Sequence, residues 1–280
     1  MAANAEQVQY WTETAGPKWV RYEALLDRQL GPLGLAAMEH ARIAPGERVL
    51  DVGCGCGDSA VTLGRRVGPS GSVLGVDISP VMLERARQRA ADLTHVRFAH
   101  ADAQTHAFER GTFDVLFSRF GVMFFADPTA AFANLRTALR PGGRLGFVCW
   151  QSLPQNAWIA VPLMAAAQHI TLPAPPAPGV PGPFSLADAG RIRAILDGAG
   201  FADVSCASDE RSLVVGGGGS LDDAVDFLLE GIGPTSAALR EAGPAARPKV
   251  AAAVREALRP HATAEGVRLP AAAWIVTARA

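Results

Sequence analysis

Val49-Leu50-Asp51-Val52-Gly53-Cys54-Gly55-Cys56-Gly57 joins a short apolar run to a series of alternating glycines. Arg48 to Val52 follows a Pro45-Gly46-Glu47 turn and reads as a strand, and Ser59 to Val67 then takes helical spacing. A strand that ends in glycines and feeds a helix lets backbone amides approach a ligand at the carboxyl edge of a sheet, where a side chain would block them. Tight packing of a turn selects the same glycines, so the loop alone leaves both readings open.

Working outward, the alternation repeats. Pro69-Ser70-Gly71 ends the helix, Ser72 to Val76 is a second strand closed by Asp77, and Ser79 to Ala91 is a helix with Ser79 as N-cap and Pro80 in its first position. Val96 to Ala99 and Phe113 to Ser118 read as the third and fourth strands. Asp127-Pro128 opens a helix to Leu139, Arg140-Pro141-Gly142-Gly143 stops it, and Arg144 to Trp150 is the fifth strand. Strand and helix alternating in this way imply parallel pairing through crossovers. Residues 4–40, with Tyr10, Trp11, Trp19 and Tyr22 among helix-forming residues, read as one or two helices ahead of the sheet.

Two carboxylates bracket the glycines. Asp77 ends the second strand, where it can accept from both ribose hydroxyls of a nucleoside. Asp51 stands two residues before the first glycine and suits a cationic ligand portion, such as the amino group of a methionine moiety. A dinucleotide loop would place its third glycine at position 58. Asp58 stands there instead, and its charge would repel a pyrophosphate, so the pattern favours a methyl donor over a dinucleotide.

With these motifs in order, Arg48 to Trp150 resembles the class I S-adenosylmethionine-dependent methyltransferases, in particular bacterial proteins of the ubiquinone and menaquinone biosynthesis type. The resemblance implies a Rossmann-like doubly wound α/β fold: a mostly parallel seven-stranded sheet with an antiparallel last strand, plus a helical insertion or lid. It implies that Asp51, Gly53, Cys54, Gly55 and Gly57 cradle the methionine portion of S-adenosyl-L-methionine, with Cys54 a small residue beside the ligand. Asp77 would hold the ribose, Ile78 and Met82 would pack near the adenine, and Asp102, beside Ala103, would accept from its exocyclic amine. Ser118 and Arg119 end the fourth strand, which faces the transferred methyl. The product would be S-adenosyl-L-homocysteine.

Side chains for an acceptor come from three places. Tyr10, Trp11 and Trp19 either fold over the donor, where aromatic faces favour a sulfonium, or belong to an amphipathic helix packed on the sheet. Phe120 and Met123 follow the fourth strand with Arg119, which is a candidate to orient an anionic acceptor; an ion pair with a neighbouring acid is the alternative. Trp150 ends the fifth strand, and Trp158 and His169 lie in the region after it, Gln151 to Phe184, which includes the proline-dense stretch Thr171 to Phe184 and reads as a lid or as a structural loop. The catalytic group is unassigned, with Arg119 and His169 as candidates. Cys54 and Cys56 lack the further ligands of a zinc site, so no metal is expected.

The rest of the chain reads as a helix from Leu186 to Ala199, a strand within Phe201 to Val215 that contains turn residues, a flexible break at Gly216 to Gly219, helix from Leu221 to Leu258 with a turn near Gly231 to Pro234, and a last strand at Ala271 to Thr277. The expected organisation is a helical segment over the donor site (1–44), a donor-binding Rossmann-like half (45–150), a lid or Pro-rich loop (151–184), and the C-terminal part of the same domain (185–280) with a helical insertion at 220–262.

Composition narrows the partners. At 49% hydrophobic and 19% charged, 280 residues suffice for a large core. A net charge of -1 provides no basic footprint for nucleic acid. The Asp/Asn-Pro-Pro-aromatic tetrad of amino-methylating DNA enzymes is replaced after the fourth strand by Ser118-Arg119-Phe120-Gly121, and the acid pair of arginine-methylating enzymes is missing. Four scattered cysteines fit a reducing compartment, and neither a leader nor a membrane span is visible, so a cytoplasmic monomer or homodimer is expected. The expected activity is methyl transfer to O, N, S or C of a small-molecule acceptor. The alternatives are a non-catalytic nucleoside-binding or regulatory protein and an NAD-type oxidoreductase.

Overall fold

The computed structural model describes residues 4–177 and 179–280. An almost unbroken helical run opens the chain: α1 (Ala5–Gln9), a π-helical stretch (Tyr10–Ala15) and α2 (Gly16–His40). Then follow β1 (Arg48–Val52), α3 (Asp58–Val67), β2 (Ser72–Asp77), α4 (Pro80–Arg89), β3 (Val96–His100), β4 (Phe113–Arg119), α5 (Pro128–Ala138) and β5 (Leu139–Trp150). The remainder is α6 (Ala157–Ala166), α7 (Ala189–Gly198), β6 (Ala202–Val214), α8 (Leu221–Glu230), α9 (Pro234–Ala242), α10 (Arg247–Leu258), the two-residue β7 (Ala262–Thr263) and β8 (Gly266–Arg279).

The main sheet has the order β3-β2-β1-β4-β5-β8-β6, with β7 paired only to β8. Strands β1 to β5 pair in parallel, and β8 runs antiparallel to β5 and β6. The order therefore reverses between β1 and β4, where Asp51 sits in register with Phe117; in open α/β sheets ligands bind beyond the carboxyl ends of the strands at such a switch point. The core is held by aromatic contact between layers. Phe132 of α5 stacks on Phe147 of β5 with ring centroids 5.6 Å apart, and both are fully buried.

Five elements differ from the sequence reading, each through pairing or packing with another segment. β5 begins at Leu139, because Leu139 pairs with Phe113 before the register jumps to Val115 and Arg144; Pro141 to Gly143 bulge out of the strand instead of preceding it. β6 is continuous over thirteen residues, and β8 begins at Gly266, since the two strands pair with one another from Val214 and Arg268 onward. The helical excursion is three helices, with α10 packed on α6 and α8. The four glycines from Gly216 are clamped to α2: Gln29 Oε1 accepts from the Gly216 amide at 2.8 Å and Arg28 Nε donates to the Gly217 carbonyl at 3.0 Å. Among the described residues no helix is long and apolar enough to cross a membrane.

Candidate active site

Beyond β1 the chain hugs β2. The amides of Gly53 and Cys54 both donate to the Val76 carbonyl, at 2.9 and 3.1 Å. Two of the glycines are required by neighbouring backbone. Gly53 has φ +67, and a Cβ there would lie 2.7 Å from Gly121 Cα; Gly57 has φ +85, and its Cβ would lie 2.8 Å from Ala86 of α4. Gly55 lies over Met82, and its amide donates to Asp77 Oδ2 at 2.9 Å.

Asp51 is completely buried. Its Oδ2 accepts a 2.6 Å hydrogen bond from the Ser59 hydroxyl, and its Oδ1 is buried with no partner. Burial pushes its pKa up to about 7; the Ser59 bond and the Arg119 charge pull it down, and Asp77 and Asp58 add to the rise. Asp77 is also buried and accepts from the Ser79 amide through Oδ1 at 2.9 Å. Burial raises its pKa against its backbone hydrogen bonds. Each Asp77 oxygen retains lone-pair capacity after its amide bond.

The loop after β3 is fixed from α5. Asp102 Oδ1 accepts from the Gln104 amide at 3.0 Å, and Asn134 Nδ2 donates to the carbonyls of Ala103 and His106 at 3.0 and 2.9 Å. Ile78 is half-buried, and its carbonyl meets His100 Nε2 at 3.1 Å. Cys54 and Cys56 are buried, and burial drives both thiols up, Cys56 to about 12, so neither is a ready nucleophile.

At the end of β4 the Ser118 hydroxyl donates to the Val52 carbonyl at 2.7 Å and accepts from the Gly121 amide at 3.1 Å, holding the following turn against Gly53. Arg119 takes the ion-pair alternative. Its side chain is only 8% exposed and donates to Asp58 at 2.7 Å and Asp27 at 3.1 Å, which leaves it committed inside the protein. Phe120 has φ +62, a left-handed backbone unusual for an aromatic residue. Its ring stacks on Trp150 at 4.3 Å, and Trp150 meets Trp158 at 5.2 Å. Trp158 Nε1 is buried and unpartnered.

A second aromatic group joins the N-terminal helical run to the turn after β4. Trp11 touches Trp19 at 5.9 Å, Phe124 at 5.0 Å and Tyr10 at 5.7 Å. The Ser79 hydroxyl donates to the Trp11 carbonyl at 2.9 Å, fastening the π-helical stretch to the start of α4. Ser79 stands at the N-cap of α4, as its sequence suggests, but its hydroxyl makes this long-range bond in place of a cap. Met123 is buried, and its carbonyl accepts from the Gly182 amide and the Ser185 hydroxyl, which ties the proline-rich segment to the turn after β4. His169 is exposed just past α6.

Residues 49–143 match the methyltransferase-domain family. Among curated proteins the chain is 32% identical to a demethylmenaquinone methyltransferase of Staphylococcus aureus over 151 residues, which are 54% of this chain and 62% of that protein. It is 43% identical over 111 residues to an uncharacterized 37.1 kDa protein in a transposon of Streptomyces fradiae, covering 39% of this chain and 32% of that one. The chain thus spans about a third of one curated relative's length and under two thirds of the other's. A phosphoethanolamine N-methyltransferase 2 of Haemonchus contortus, solved with S-adenosyl-L-methionine, superposes with a TM-score of 0.59 at 18% identity over 100% of this chain and 60% of that one. The chain has the class I methyltransferase fold. The same methyltransferase fold superposes on the [4+2]-cyclase SpnF, with a TM-score of 0.53 at 21% identity over 89% of this chain and 79% of that one.

Several polar residues that shape this methyltransferase-type crevice carry no strong sequence signal. Ser59 and Asp58 follow the last glycine, and that adjacency is the available clue. Asp27 and Arg89 reach Asp58's surroundings from α2 and α4, and nothing in the spacing marks them. Asp58 is held between Arg89 and Arg119, so its charge is compensated and repels a pyrophosphate less than the bare carboxylate expected from the sequence.

Proposed function

We propose that the chain is an S-adenosyl-L-methionine-dependent methyltransferase acting on a small-molecule acceptor. One observation carries the donor assignment: beside the glycine loop lies a fully buried carboxylate with one oxygen unpartnered. An orphaned buried acceptor is expensive and is relieved by a donor brought in by a ligand. An ammonium group meets that need; a pyrophosphate would worsen it. The methyltransferase-domain match over 49–143 and the name of the Staphylococcus relative support the same reading.

In this reading Asp51 receives the amino group of the donor, Gly53 to Gly57 present backbone to its methionine portion, and Asp77 accepts from the ribose. Met82 lies beneath Gly55, Ile78 borders the base, and Asp102 accepts from the base amine beside Ala103. When bound, the donor supplies a methyl group on an electrophilic sulfonium. The protein's part is to orient an acceptor and exclude water, a task for the two aromatic groups around Trp11 and Trp150. Tyr10, Trp11, Trp19, Phe120, Met123, Trp150 and Trp158 are the candidate acceptor walls. Arg119 is held in ion pairs and His169 is exposed just past α6; a general base is needed only where the attacking atom of the acceptor carries a proton.

Calorimetry with S-adenosyl-L-methionine, S-adenosyl-L-homocysteine and NAD tests the donor, and donor consumption across a metabolite panel tests the transfer. Binding of the first two without NAD, followed by turnover, is the expected result. NAD binding alone overturns the assignment. Donor binding without turnover of any panel member favours the non-catalytic alternative.

A further inference from the structure

Four side chains from four elements close into a ring at the back of the donor loop. Arg119, the last residue of β4, donates through Nη1 to Asp58 Oδ2 at 2.7 Å and through Nη2 to Asp27 Oδ1 at 3.1 Å. Arg89, the last residue of α4, donates to the opposite oxygens: Nη1 to Asp27 Oδ2 at 2.7 Å and Nη2 to Asp58 Oδ1 at 3.0 Å. Both carboxylates are thus bridged by both guanidiniums, a fork geometry that Lys cannot copy. Glu23 extends the ring on α2 by pairing with Arg85 and Arg89, so three acids face three arginines. Gly34 of α2 makes room for the arginine stem, since a Cβ there would lie 2.9 Å from Arg119 Cδ.

Asp58 is the first residue of α3 and is followed by Ser59, whose hydroxyl holds Asp51 Oδ2 at 2.6 Å. The ring therefore grips the turn that orients the buried carboxylate, and it does so from α2, the helix that covers the site. We infer that Arg119 is a positioning residue for donor binding: through the ring with Asp27, Arg89 and Asp58 it fixes the first turn of α3 and keeps Asp51 aligned and charged for a cationic ligand group. The inference rests on the donor reading given above. The charged groups around Asp51 are Asp77 from the end of β2, Asp58 from α3 and Arg119 from β4, and Arg119 is the one whose positive charge favours the carboxylate.

The test is calorimetric binding of S-adenosyl-L-homocysteine by the full chain between pH 6 and 8.5, for wild type, Arg119→Met, Arg119→Lys and Asp27→Asn. The Arg119 charge lowers the Asp51 pKa, so its removal raises it. Arg119→Met is expected to weaken binding roughly fivefold at pH 7 and to move the pH midpoint of binding upward by about one unit. Arg119→Lys keeps the charge, so its midpoint stays near that of wild type, while its affinity falls and becomes more sensitive to added salt. Asp27→Asn opens the ring away from Asp51; it is expected to weaken binding without an upward shift of the midpoint. A purely structural ion pair would lower thermal stability and leave the midpoint in place. A folded Arg119→Met variant with wild-type affinity and midpoint overturns the inference, and so does an upward midpoint shift in Arg119→Lys should Arg119→Met not fold. Wild type that binds no S-adenosyl-L-homocysteine at any pH overturns the donor reading and this inference together.

Discussion

Ser59 donates its hydroxyl to one oxygen of Asp51 at 2.6 Å and leaves the other oxygen, equally buried, with no partner at all. Burial pushes the carboxyl group's pKa up to about 7, against the Ser59 bond, which lowers it. Between the ordinary carboxylate range and pH 7 the folded chain holds a proton that the unfolded chain has released, so Asp51 costs stability as pH rises through that window. Asp51→Asn removes the dependence. Relative to the variant, the free wild-type protein is expected to lose roughly 2–3 kcal/mol between pH 5 and pH 8, at 1.36 kcal/mol per pKa unit. Urea titrations at both pH values measure this, and parallel pH slopes for the two proteins would refute the buried charge.

A ligand ammonium ion that pairs with Asp51 should displace the proton. Below pH 7 product binding therefore releases close to one proton, and above pH 8 it releases almost none, so affinity rises with pH and then levels off. Calorimetry at pH 6 and pH 8.5 in two buffers of different ionisation enthalpy reads the proton count directly. A count near zero at both values would mean that Asp51 does not meet the ligand's cation.

Asp77→Ala removes the acceptor for two buried amides, Gly55 at 2.9 Å and Ser79 at 2.9 Å, besides any ribose contact. Each stranded donor costs about 1–3 kcal/mol, so the variant should be less stable by roughly 2–4 kcal/mol as well as deficient in donor binding. Asp77→Asn retains one acceptor oxygen and should lie between the two. Full donor affinity in a folded Asp77→Ala protein would remove the ribose assignment.

The parallel core was legible because β1 to β5 carry their own signals: apolar runs closed by the glycines after Val52 or by Asp77, with helices opened by Ser79-Pro80 and Asp127-Pro128 between them. The antiparallel β8 followed from resemblance. The bulge at Pro141 to Gly143, the full length of β6 and the clamped Gly216 turn were not legible, since each is decided by a partner far away in sequence, Phe113, β8 and Gln29 respectively. Within the crevice, Asp51 and Asp77 announce themselves by position. Arg119 did not disclose its partners, because Asp27 and Asp58 lie 92 and 61 residues away along the chain.

Gly57→Ala tests whether the loop's last glycine serves the ligand or the protein. A left-handed backbone at φ +85 costs an alanine about 1 kcal/mol or more, and its Cβ would press on Ala86 at 2.8 Å. Overpacking against α4 adds roughly 1–3 kcal/mol. A drop of about 2–4 kcal/mol in chemical denaturation is expected in the free protein. Unchanged stability with lost donor affinity would restore the view that ligand clearance alone selects this glycine.

Ser79→Ala separates a helix cap from a latch. The hydroxyl bonds the Trp11 carbonyl at 2.9 Å and no amide of α4, so the first turn of α4 should keep its protection while the segment Tyr10–Ala15 loses some. One hydrogen bond is worth about 1 kcal/mol, enough for roughly fivefold faster opening of a locally unfolding segment. The latch is reinforced sterically: Gly16 lies so close that a Cβ there would come within 2.5 Å of the Ser79 hydroxyl. Hydrogen exchange resolves the two segments. Faster exchange confined to Tyr10–Ala15 identifies Ser79 as the fastener of the aromatic cover, whereas faster exchange confined to the start of α4 would return it to the capping role its sequence position suggests.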